Sequence, residues 1–77
     1  MRKDEMNKIC EYITTSISRT FSLTSLGYEV QLYHNGAYLL YNSKVLSYKD
    51  YCNLILIITH AAEDRVKHLE YKKENNK

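Results

Sequence analysis

Apolar residues recur at three- and four-residue intervals through the first quarter of the chain. Between Asp4 and Arg19, residues Met6, Ile9, Cys10, Ile13 and Ile17 share about 100° of a helical wheel, with Lys8, Glu11, Thr15, Ser18 and Arg19 opposite them. This spacing predicts an amphipathic helix. The hydroxyl-rich stretch from Thr20 to Ser25 competes for backbone hydrogen bonds and is expected to end that helix. Phe21, Leu23 and Leu26 would hold this connection to the core as a packed loop.

After Gly27 the pattern turns to period two. Tyr28, Val30 and Leu32 alternate with Glu29, Gln31 and Tyr33, and Asn35-Gly36 is the dipeptide preferred in a type I′ hairpin turn. With those two residues as the loop, Tyr33 pairs with Tyr38 and Leu32 with Leu39. Tyr28, Val30, Leu32, Leu39 and Tyr41 then face the core, while Glu29, Gln31, Tyr33, Tyr38 and Leu40 face outward. Two strands alone are marginal, so Val45 and Leu46 are expected to add a short third after a turn at 42–44.

Ser47-Tyr48-Lys49-Asp50 has the spacing of a capping box and places a helix start at Ser47. No Gly or Pro follows, so the helix can run from Tyr48 to about Lys72, with Tyr51, Ile55, Ile58, Ala62, Val66 and Leu69 as its main apolar stripe. The expected fold is α+β: a helix, an antiparallel β-hairpin of two or three strands, and a long C-terminal helix, both helices on one sheet face. It forms one domain over 1–77, frayed at 1–4 and 73–77. Double-stranded-RNA-binding domains share that element order. The Lys-rich helix start with which those domains hold phosphate is replaced here by Ser47-Tyr48-Lys49-Asp50-Tyr51-Cys52, so the shared order implies architecture without function.

Size and charge narrow the functions open to such a chain. At 77 residues it buries only about 60% of its unfolded surface, which disfavours a large enzyme cleft. With 44% hydrophobic residues and a net charge of +2, it is expected to fold. The pI of 8.5 and the interleaving of basic with acidic residues at both ends leave no basic stripe for duplex nucleic acid. The longest apolar run, Leu54 to Ile58, falls far short of the roughly 20 residues that cross a bilayer, and no secretory leader pattern opens the sequence. A cytoplasmic protein with Cys10 and Cys52 as free thiols is expected.

Nucleotide-binding, zincin and serine-hydrolase motifs are all missing, so neither enzymatic activity nor a cofactor is expected. His60, Asp64 and His68 form a column on the long helix. It spans about 12 Å, too far for one ion to touch all three, and is read as a solvated polar face with no metal.

Two apolar surfaces exceed what one core requires. On the long helix, Leu54, Ile57 and Ala61 lie beside the main stripe, covered either by the rest of the chain or by a partner. On the outer sheet face, Tyr33, Tyr38 and Leu40 form either a cross-strand cluster or a contact surface. The chain is therefore expected to be a non-enzymatic protein-protein interaction module. Its Lys, Asn, Ile and Tyr bias without Pro suits a small phage or bacterial accessory protein, such as an inhibitor docking on a host protein. The alternatives are a weak nucleic-acid-binding regulator using Lys44 and Lys49, and a structural homodimer made by antiparallel pairing of the long helices. No membrane or small-molecule partner is expected.

Overall fold

Three helices in sequence build the fold: α1 (Lys3–Ser18), α2 (Leu23–Asn42) and α3 (Tyr48–Asn75). The computed structural model describes the backbone of residues 2–75 and the side chains of residues 2–70. Among them there is no strand, so the expected α+β fold is replaced by an all-helical bundle. The fraying expected at 1–4 and 73–77 falls partly outside the described residues; within them, α1 is helical from Lys3 and α3 as far as Asn75.

The expected hairpin is one continuous helix. Leu26, Val30, Tyr33, Ala37, Leu40 and Tyr41 recur at the helical spacing and lie within about 100° of one another on α2, and Leu26 and Ala37 are fully buried. Ser22 caps the helix by accepting a hydrogen bond from the Ser25 amide at 3.1 Å. Asn35 and Gly36 take ordinary helical geometry, since no described glycine has positive φ. The tertiary core therefore overrides the turn preference of that dipeptide.

At its C-terminus α2 closes in a Schellman motif. The Val45 amide donates to the Leu40 carbonyl at 2.9 Å and the Lys44 amide to Tyr41 at 3.0 Å. Lys44 stands at φ 66, the left-handed position that glycine usually fills. The expected third strand is thus a helix-ending turn. Leu46 leaves it to plug the core at 2% exposure, and Val45 stays exposed.

The start of α3 is where the sequence places it. Ser47 Oγ accepts from the Asp50 amide at 3.1 Å. The helix passes without a break through Thr59, whose hydroxyl donates to the Ile55 carbonyl at 2.9 Å.

Both other helices pack chiefly on α3 and meet each other less. Thr14 shares a groove with Ile57 and Ala61, Ser18 with Asp64 and His68, so α1 and α3 run in the same direction. Tyr41, near the end of α2, stacks on Tyr51 near the start of α3 with centroids 4.9 Å apart, so α2 runs antiparallel to α3. The order is up-down-up. Ile13, Ile17, Leu26, Ala37, Leu46, Leu54 and Ile58 form the core. The molecule measures 48 × 20 × 15 Å, because the 28 residues of α3 extend about 42 Å and outrun both neighbours.

Candidate docking surface

The outward face of α2 carries an uncharged apolar stripe. Tyr28, Leu32 and Leu39 fall within about 40° of the helical wheel, directly opposite Leu26 and Ala37, and are 72%, 55% and 63% exposed. Of the ten large exposed hydrophobic residues among those described, eight lie between Phe21 and Tyr48, on α2 or its flanks. Of the three residues expected to anchor the first connection to the core, Leu26 does so, while Phe21 and Leu23 are both exposed; Thr20 is buried there as well. α2 carries one formal charge, Glu29, while the remaining Lys, Arg, Asp and Glu residues lie outside it. Its polar outward neighbours are Gln31, Asn35 and Asn42.

The surfaces expected from the sequence fall elsewhere. Leu54 is 1% exposed and belongs to the core, so the rest of the chain covers it. Ile57 and Ala61 are half-buried beside Thr14 of α1. The cross-strand cluster of Tyr33, Tyr38 and Leu40 does not exist, because five helical positions set Tyr33 about 140° from Tyr38. Tyr33 and Leu40 pack against the core, and Tyr38 is exposed.

The hydroxyl of Tyr33 donates to Glu29 at 3.4 Å, a long bond. Burial, helped by the Glu29 charge, pushes the phenol above its ordinary value, and a hydrogen bond with Ser16 opposes this. The signal that would have found the outward face is the regular spacing of Leu26, Val30, Tyr33, Ala37 and Leu40. It leaves Tyr28, Leu32 and Leu39 as a second, outer set.

Lys44 and Lys49 both border the α2–α3 turn, exposed, with Val45, Leu46, Ser47 and Tyr48 between them. His60, Asp64 and His68 are exposed on α3, and no group of three His, Cys, Asp or Glu among the described residues could hold a metal ion. His34 is half-buried between α2 and α3, its Nε2 without a hydrogen-bond partner in a groove with Val30, Ala62 and Val66. Cys10 and Cys52 are free thiols, and burial pushes the Cys10 thiol up. No helix among the described residues is long and apolar enough to cross a membrane. No protein-family model, curated protein or solved structure gives a significant match to this chain.

Proposed function

We propose that the chain is a non-enzymatic protein-protein interaction module whose docking surface is the outward face of α2. One observation carries this: Tyr28, Leu32 and Leu39 form an exposed apolar stripe on a nearly uncharged helix, opposite its core-facing side. Apolar side chains clustered on the solvent side of a small domain mark a contact surface. In a three-helix bundle only one side of α2 is covered by its own chain, and the other is free to meet a partner. That partner presents apolar surface, since Tyr28, Leu32 and Leu39 offer it no cationic or anionic group to pair with.

A photo-crosslinking side chain at Leu32, compared with one at the exposed Glu11 of α1, tests this in the native cell. A single discrete adduct at position 32, competed by excess wild-type chain but not by the Leu32→Glu/Leu39→Glu variant, is the expected result. Identical labelling at both positions, or no discrete adduct at position 32, overturns it.

A further inference from the structure

We infer that Phe21 is the anchor of the docking surface and that Arg65 is the residue that positions it. This rests on the docking role proposed above and says how that surface is held for its partner.

Phe21 is the most exposed large hydrophobic residue among those described, at 92%. It continues the stripe on α2, because it lines one groove together with Tyr28. An aromatic ring left in water gives its own fold no burial energy, and the short connection that carries it would ordinarily be mobile. Here that connection is pinned on both sides of the ring.

Thr20 holds the first side. Its carbonyl accepts both prongs of the Arg65 guanidinium, while its amide and hydroxyl donate to the Ile17 carbonyl at 3.2 and 2.9 Å. The carbonyl group of Thr20 shares one rigid peptide plane with the nitrogen and Cα of Phe21. Two bonds from a planar guanidinium to that oxygen therefore fix the point from which the ring projects.

Ser22 holds the other side. Its hydroxyl accepts from the Ser25 amide at 3.1 Å and its carbonyl from the Leu26 amide at 3.0 Å, which locks it to the first turn of α2. Phe21 thus carries a solvated ring on a fixed backbone. Such a residue binds tightly because its ordering is complete before the partner arrives, and a few aromatic anchors carry most of the energy of protein contacts. A side chain projecting from a rigid mount is met by a cavity, so the partner presents a concave apolar site that takes one phenyl ring beside Tyr28.

Nuclear relaxation on the purified full-length chain tests the mount. Phe21 is the single phenylalanine, so nitrogen-15-labelled phenylalanine gives one backbone resonance. Its order parameter is expected at about 0.85 in wild type and below about 0.6 in Arg65→Ala, with Arg65→Lys between them. Ile58→Val, a change in the core away from this connection, leaves it at about 0.85 and separates positioning from general loss of stability.

Crosslinking from position 32 in the native cell tests the anchor. Phe21→Ala removes only exposed atoms and keeps the fold, yet the adduct should fall about tenfold. Arg65→Ala should lower it about threefold, and Ile58→Val should leave it unchanged.

A wild-type order parameter below about 0.6 overturns the rigid mount, and an unaltered value in Arg65→Ala overturns the part given to Arg65. An undiminished adduct for Phe21→Ala overturns Phe21 as the anchor while upholding the docking role. No discrete adduct at position 32 in wild type removes the docking role itself, and the anchor with it.

Discussion

Arg65 on α3 reaches 45 positions back along the sequence to donate from Nε, at 2.9 Å, and from Nη2 to the main-chain carbonyl of Thr20. Thr20 is 5% exposed and follows the end of α1, where helix carbonyls lose their intrahelical partners. Its own hydroxyl turns back to the Ile17 carbonyl at 2.9 Å. The α1–α2 connection is thus tied to α3 by a charged fork acting on a buried backbone oxygen.

Arg65→Ala should lower stability by about 2 kcal/mol, since it strands a buried acceptor. Arg65→Lys should recover only part of this, because an ammonium cannot reproduce the two-pronged geometry. Urea unfolding at one fixed protein concentration measures both. An unchanged midpoint for the alanine variant would mean that water serves the carbonyl equally well.

Lys44→Gly should raise stability by about 1 kcal/mol, because it relieves the left-handed strain at φ 66 while keeping the Schellman hydrogen bonds. Lys44→Val should lower it, a branched side chain being worse placed there. Thermal melts of the three proteins rank them, and a glycine variant less stable than wild type would contradict this account of the turn.

Leu54 and Leu56 are two residues apart on α3 and should differ sharply. Leu54→Ala empties a site that is 1% exposed and should cost about 2–5 kcal/mol. Leu56→Ala, at 56% exposure, should cost less than about 1 kcal/mol. Equal losses in denaturant titrations would place Leu56 in the core as well.

Alkaline pH should destabilise the fold. Burial raises the Cys10 thiol above its ordinary 9.0 and the Tyr33 phenol above its ordinary 10.0, so the unfolded chain gives up these protons first. The stability they contribute is complete below about pH 9 and falls as pH rises beyond it. Melting temperatures taken between about pH 8 and pH 11 should decline, and Tyr33→Phe should flatten the upper part of that decline. A melting temperature that climbs over this range would count against burial of both groups.

The two terminal helices were legible because each has a main apolar stripe at helical spacing and, for α3, a cap at Ser47, whose hydroxyl accepts from the Asp50 amide. α2 was not, and the cause is physical. Its core stripe, Leu26, Val30, Tyr33, Ala37 and Leu40, is overlaid by the outer set Tyr28, Leu32 and Leu39, and together they imitate the alternation of a strand. Asn35-Gly36 then reads as a hairpin turn. The residues that hid the helix are those that make its outer face apolar, so the failed fold assignment and the missed surface share one origin. Leu54 and Ile57 stood out as excess apolar surface for the converse reason: the sequence does not reveal that α1 would lie over them.

Because α1 and α3 point the same way, Lys3 and Asn75 stand at opposite ends of a body 48 Å long. A stretching force applied at these two residues would slide α1 along α3, loading their whole seam, the Arg65 tie included, at the same moment. Force applied instead between Leu23 and Asn75, on antiparallel helices, would prise α2 and α3 apart turn by turn. The bundle is thus built as a shear joint along one axis and a zipper along the other, and its mechanical resistance depends on where it is held.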